Sequence, residues 1–410
     1  MHGAHTLYIE EHRAPAATSW ELPEWKTMKI CHITTYWPTA DFGHTHYTEN
    51  LMHGMQMHQR GKHYILAAQP AAAVDCDEYQ CIPCFDTGQD YVDGIAAAAQ
   101  MVRPDVAIIQ HSPDLFGDDN RLPRLAARLK ELGIHPVVNS HSIYPAAKHS
   151  GYRPGGTAAD FDRALAQHAS LLSVHSQRMK DDLLARGISA EKIVILPHGS
   201  KPMEERDIAL SRQKLGIPTD AKVVLFFGFI WLGKGIDFLL GVFARVARRI
   251  PEAFLFIGGH TRSRKYSAYV SYLKTRAWLL GFGRRARFWG GFVPEEMVPV
   301  IYSAGDVVAM PYRQDYSSVS GVVHQTSGIG KLLLCSRISK FDEITASIDP
   351  ALTVPADDRE AWVETLVRLL TDQVWAAEMK QKIKRFAEQT SWANVGKMHL
   401  DAYTKLLAGK

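Results

Sequence analysis

The sequence predicts an α/β protein built as two Rossmann-like domains that face a central cleft. Three observations predict it. Runs of strand length recur that are apolar throughout rather than at alternate positions, the mark of strands buried on both faces. Segments with apolar residues at helical spacing separate them, so the connections are crossovers and the strands parallel. The alternation breaks in a polar stretch over 201–221 and then starts afresh, dividing the 410 residues into two similar halves.

The first half offers strands in KICHITTYW (29–37), HYILAAQ (63–69), DVAIIQH (105–111), HPVVNSH (135–141), LLSVHS (171–176) and KIVILPHG (192–199). Helices fall between them at 50–61, 92–102, 121–133, 160–169 and 178–187. Leu51, Met52 and Met55 lie at helical spacing, and Gly61 and Gly133 supply stops. The second half offers strands VVLFFGF (223–229), AFLFIGG (253–259), ARFWGGF (286–292), DVVAMPY (306–312) and KLLLCSR (331–337). Its helices are expected at 236–249, 265–280, 295–303, 361–370 and 374–388. Residues 1–28 read as an N-terminal extension, 29–205 as the first domain, 206–390 as the second and 391–410 as a closing helix.

Composition narrows the function. The chain is 46% hydrophobic and 22% charged with a formal net charge of +4, too little positive charge for a dedicated nucleic-acid binder. No run approaches the roughly 18 apolar residues of a membrane span. The N-terminus lacks an export signal's apolar region, so a cytoplasmic protein is expected. Five cysteines are no disulfide framework. Cys76, Cys81 and Cys84 have a spacing that zinc accepts, with His63 as a fourth ligand, but free thiols and no metal are expected.

Ligands in open parallel sheets bind beyond the carboxyl ends of the strands, here the cleft. There Gly228 ends a strand, and Lys234-Gly235 leads into a helix whose first N–H groups suit an anion. Gly258 and Gly291 end two more strands. In MPYRQDYSSVSGVVHQTSGIGK (310–331), a strand delivers Tyr312 and Arg313 to the cleft, Arg313 as a second cation for the leaving phosphate, and a second helix start lies near Ser320, Gly321 and Val322. In the first half His111, His141 and His175 occupy strand ends. The basic groups Arg262, Arg264 and Lys265, and Arg284, Arg285 and Arg287, read as solvated faces or anion contacts.

In this order, the stretches with Phe42-Gly43, His111, SVHS (173–176), ILPHG (195–199), GFIWLGKG (228–235), LFIGG (255–259), WGGFVPEEMVPVIYSAGDVVAMPYR (289–313), SGVVHQTSGIGK (320–331) and SWANVGKMHLDAY (391–403) resemble a known family. It is the retaining, family 4 group of nucleotide-sugar glycosyltransferases, which have the two-domain GT-B fold. The resemblance runs from about residue 29 to 407. It implies a hexosyltransferase with a nucleotide-diphosphate sugar as donor and no cofactor or metal-dependent step. Lys234 would meet the phosphates, and the Ser320, Gly321 and Val322 amides would cap the distal one. Gly228 would belong to the phosphate-facing loop, Gly258, Gly291, Phe292 and Val293 would border the base and ribose, and Gln325 would lie toward the ribose hydroxyls. His111 would lie beside the transferred sugar, Gly43 would let amides approach it, and the closing helix would cross back onto the first domain.

The departures from that family pattern are specific. Phe229 stands where an arginine is usual. Ser317 or Ser318, and Gln325 or Thr326, stand where two glutamates are usual. A phosphorylase of the same fold and a non-catalytic nucleotide or sugar binder are the rival readings. A glycosidase would need a facing carboxylate pair, for which only Asp342-Glu343 offers a place. The acceptor stays open among saccharide, lipid-linked and small-molecule hydroxyls. The arginines and leucines of 121–133 read first as an ordinary surface helix, and second as a peripheral contact with an anionic membrane at its inner face.

Overall fold

The computed structural model describes residues 28–35, 37, 43–261, 267–313 and 316–409. Phe42, Arg262, Arg264, Lys265 and the extension before Met28 lie outside them. The first domain contains β1 (Ile30–Thr34), β2 (His63–Ala68), β3 (Val74–Asp75), β4 (Tyr79–Phe85), β5 (Val106–His111), β6 (His135–Ser140), β7 (Ser142–Ile143), β8 (Leu171–Val174) and β9 (Ile193–Ile195). Its helices are α1 (Gly43–Gln56), α2 (Val92–Val102), α3 (Pro113–Phe116), α4 (Arg121–Glu131), α5 (Ala158–His168) and α6 (Gln177–Leu184). Among the described residues eight of these strands form one sheet in the order β3-β4-β2-β1-β5-β6-β8-β9, with only β3 antiparallel to its neighbour.

The uniformly apolar strands have both faces covered. Along β5, Val106 and Ile108 point into one core layer while Ala107 and Ile109 point into the other, shared with α2, α4 and α5. A reciprocal capping box between Thr157 and Asp160 starts α5. On α4, Leu122, Leu125 and Leu129 are fully buried, and Arg121, Arg124 and Arg128 pair with Asp119, Asp90 and Glu131. That helix therefore turns its leucines to the core and has no such stripe left for a bilayer.

The second domain contains β10 (Lys222–Phe227), β11 (Ala253–Gly258), β12 (Ala286–Phe288), β13 (Val307–Met310), β14 (Ser317–Ser318), β15 (Leu332–Ser336) and β16 (Thr353–Val354). Its helices are α7 (Ile208–Leu215), α8 (Ile236–Arg249), α9 (Ser267–Leu279), α10 (Met297–Ala304), α11 (Gly321–Gly328), α12 (Asp342–Ser347), α13 (Arg359–Thr371) and α14 (Gln373–Gln389). Its sheet is parallel, in the order β12-β11-β10-β13-β15-β16. α8 packs on α13, α7 on α10 and α14 on α11. The stretch 201–221, read from sequence as patternless, contains α7. Asp207 caps it through the Leu210 N–H at 2.7 Å and Gly216 ends it at φ 66°. Ile208 and Leu210 stay exposed, which hides its periodicity.

The final helix, α15 (Trp392–Leu407), lies against α1 of the first domain. The approach is close: a Cβ on Gly54 would stand 2.1 Å from the Trp392 carbonyl oxygen, and one on Gly396 would stand 2.2 Å from the Gly54 carbonyl carbon. Trp392, Val395, Leu400 and Tyr403 share a core with Ile30, Tyr47, Leu51 and Ile108. The cysteines are all free thiols. Cys81 packs with Trp37 and Ile65 on one side of the first sheet and Cys84 against the core of the other side. Those two thiols thus belong to different core layers, and the His63 ring stacks on His32. No helix of the described residues is long and apolar enough to cross a membrane.

Candidate functional site

Gly228 follows the last residue of β10, turns the backbone at φ 124° and donates its N–H to the Gly258 carbonyl at 3.0 Å. Gly259, at φ 139°, passes so near that a Cβ there would stand 1.8 Å from the Gly228 oxygen. A single 3-10 turn over Leu232–Lys234 follows, and Gly235, at φ 64°, opens α8. A Cβ on Gly235 would stand 1.9 Å from the Pro311 oxygen, so only glycine lets this turn seat against the end of β13. The turn lays the Lys234 ammonium over the Tyr312 ring, 3.5 Å from its centre. From the Cβ position of Gly228 it is 3.7 Å to a Val322 methyl carbon and 4.0 Å to the Tyr312 hydroxyl. Gly228, Lys234, Tyr312 and Val322 thus meet, although they come from three separate segments.

α11 begins at this point. Ser320 is its buried N-cap, but the side chain makes no capping bond. The Gly321 and Val322 N–H groups lie in the first turn, where a helix has no carbonyl to offer them and carries its positive dipole end. The Tyr312 hydroxyl lies beside Ser320 without a closed hydrogen bond, and burial pushes its pKa up, so it is a protonated donor. Together these are one ammonium, one phenol and a helix start for an anion.

Arg313 stands differently from the sequence expectation. Its guanidinium sits over Phe238 and pairs with Asp357 at 3.3 Å, while its backbone N–H donates to the Gly233 carbonyl at 3.0 Å. It holds the lysine turn rather than presenting a second cation beside Tyr312. Val293 is buried in the second domain's core. Its neighbour Phe292 is half exposed and meets His260 edge-on, and His260 meets Phe229 in the same way. Phe229 thereby joins an aromatic ledge beside Gly258 and Gly291, on which a flat base can rest. The Gln325 side-chain oxygen accepts from the Tyr302 hydroxyl at 3.2 Å, which leaves its amide N–H groups for a ligand.

Across the gap, His111 ends β5 with its ring against Phe161. It is buried, its Nε2 has no partner among the described residues, and burial holds its pKa down at about 4, with the Gly117 backbone offsetting a little. The ring is a neutral imidazole at pH 7, able to exchange hydrogen bonds with a hydroxyl. Its carbonyl accepts from the His141 N–H at 2.8 Å, and His141 leads directly into β7. β7 pairs antiparallel with β14, Ile143 opposite Ser317 and Ser142 opposite Ser318. One strand end of each domain is therefore stitched together two residues before Ser320. The Ser317 hydroxyl donates to Asp182, Lys340 donates to the Ser318 hydroxyl, and Tyr144 meets Tyr316 edge-on at 5.4 Å. Deeper in, His198 stacks on His324 at 4.6 Å, and His324 joins Ser200 at 2.9 Å and Glu343 at 3.3 Å. Glu343 is thus committed to a histidine rather than to a facing carboxylate. Gly43 opens α1, next to residues outside those described.

The sequence places Tyr312 at the cleft without giving it a role, and it assigns none to Phe229, His260 or Lys340. Tyr312 had a visible signal, a strand-end position directly before Arg313. Lys340 had none, because its approach to Ser318 depends on how β15 ends.

Residues 221–372, from β10 to α13, match the family model described as glycosyl transferases group 1. That match lies within the second domain, and the chain has the GT-B fold. D-inositol 3-phosphate glycosyltransferase of Corynebacterium efficiens is 28% identical over 281 residues, 65% of this chain and 64% of that protein. The chain thus spans just under two thirds of that relative's length. Mannosylfructose-phosphate synthase of Agrobacterium fabrum is 29% identical over 35% of this chain and 32% of its own. Among solved structures, Anabaena HepE in complex with UDP and glucose superposes with a TM-score of 0.71 at 16% identity, over 92% of this chain and all of that one. Sucrose-phosphate synthase of Thermosynechococcus elongatus gives 0.70 at 18% identity, over 93% of this chain and all of its own. The GT-B assignment covers both sheets, and the family match includes Gly228, Lys234, Tyr312, Ser320 and Gln325.

Proposed function

We propose that the protein is a retaining glycosyltransferase that moves a sugar from a nucleotide-diphosphate sugar to a hydroxyl acceptor. The observation that carries this is the Lys234 ammonium over Tyr312, beside Gly228 and the open start of α11. As the bond from the anomeric carbon to the phosphate oxygen breaks, negative charge grows on the diphosphate. Lys234 and the first-turn amides of α11 are fixed where they stabilise it without reorganising. Attack by the acceptor hydroxyl from the same face forms the new glycosidic bond, and its proton passes to the departing phosphate oxygen. His111, neutral and buried, orients the sugar as a positioning group.

The aromatic ledge of Phe229, His260 and Phe292 takes the base. HepE was solved with UDP, which makes a uridine diphosphate sugar the first donor to try. The inositol-phosphate and sucrose-phosphate enzymes among the similar proteins make phosphorylated polyols and sugars the first acceptors. The five free thiols fit a reducing cytoplasm. Calorimetric titration of the purified protein with nucleoside diphosphates and their sugars tests this reading. Binding of one of them, lost in Lys234→Ala, is the expected result. Tight binding that ignores Lys234, or release of sugar 1-phosphate from a disaccharide without nucleotide, would overturn it.

A further inference from the structure

The end of α9 exposes an apolar tip that the second domain does not use. Leu279 is 82% exposed and Trp278 61%, with Leu280 and Tyr272 also open. The helix buries Leu273 and Ala277 as its inner stripe, so these four side chains are surplus to the core. The Trp278 indole lies flat over Gly283, where a Cβ would stand 2.4 Å from its ring, and the loop thus props the tip outward.

The stretch of chain that carries the tip has charges of one sign. From Ser267 to Pro294 the chain has Lys274, Arg276, Arg284, Arg285 and Arg287 and no Asp or Glu. Arg276 and Arg284 flank the tip. Arg285 donates to the Ala247 and Pro251 carbonyls at 2.9 and 3.0 Å, which joins the loop to the end of α8 and its exposed Arg248. The acid in the adjoining turn is Glu252.

We propose that this tip docks the protein on an anionic lipid surface, with Trp278, Leu279 and Leu280 entering the interface and the flanking arginines meeting lipid phosphates. An indole beside leucines, rimmed by cations, suits the boundary between acyl chains and headgroups. A second copy is disfavoured, because two such rims would repel. Nucleic acid would match the arginines but leave Leu279 in water. α9 starts at the carboxyl edge of β11 and ends before β12, so the tip lies at the edge of the sheet opposite the cleft. Docking there leaves the sugar-transfer site open.

Flotation of the full chain with vesicles tests this. Binding is expected to vesicles of phosphatidylcholine mixed with phosphatidylglycerol and not to phosphatidylcholine alone. Trp278→Ser/Leu279→Ser and Arg276→Glu/Arg284→Glu should each weaken it about ten-fold or more, with thermal midpoints close to the parent's as proof of folding. The proposal fails if the parent ignores the anionic vesicles, or if both variants bind as the parent does. It also fails if Trp278→Ser/Leu279→Ser removes only a concentration-dependent dimer.

Discussion

Ile143 of the first domain and Ser317 of the second stand opposite each other as partners in an antiparallel pair. Ser317 lies three residues before Ser320, so the same short segment that reaches across the cleft also sets the start of α11. The contact between the domains and the start of the anion site thus lie on one short segment of chain.

Ser142→Pro should separate the two. Proline removes a backbone donor and resists pairing, yet residue 142 is in the first domain and does not touch Lys234. The radius of gyration by X-ray scattering should rise, while nucleoside diphosphate affinity stays near the parent value. An unchanged radius would show that the pairing does not hold the domains together.

Lys234→Ala removes a charge-assisted contact of roughly 1.5–3 kcal/mol, so diphosphate affinity should drop about ten- to a hundred-fold. Lys234→Arg should recover part of it, since the charge returns with a different shape. Titration calorimetry on both variants distinguishes charge from fit.

Gly235→Ala asks for a side chain 1.9 Å from the Pro311 oxygen at φ 64°. The strain and the displaced loop should cost about 1–3 kcal/mol or more, with a lower midpoint in calorimetry and weakened diphosphate binding. A fully active, equally stable variant would mean the turn does not depend on that close approach.

Acidification should strike the first domain. Burial lowers His63, His111 and His175 to about 4 and His399 to about 3, and puts His32 well below its ordinary value. An unfolded histidine takes its proton near 6.5. Between those values the unfolded chain binds more protons than the folded one, so stability falls as pH drops from about 6.5 towards 4 and is flat above. Each ring contributes up to about 1.4 kcal/mol per pH unit in that window. Thermal midpoints measured from pH 7.5 to 4.5 should show the decline, and a flat profile would mean these rings are hydrated.

The parallel strands were legible because Val, Ile, Leu and Phe fill both faces of runs such as VVLFF and VAII. The glycine turns were legible because Gly228 and Gly235 interrupt those runs where a strand must end. What no local pattern shows is partnership over distance. The pairing of Ser142 with Ser318 involves two-residue strands with no apolar signal. Arg313 looked like a phosphate cation because nothing near it in sequence reveals Asp357 or Phe238. The membrane-like stripe of 121–133 turned inward because Leu122, Leu125 and Leu129 meet a core formed by distant helices.

The place of α15 has a bearing on synthesis. One face of the first sheet is roofed by α1 together with Trp392, Val395 and Tyr403, so the half of the molecule translated first is finished last. Until α15 has emerged from the ribosome, that apolar surface has no permanent cover and depends on chaperones or on haste.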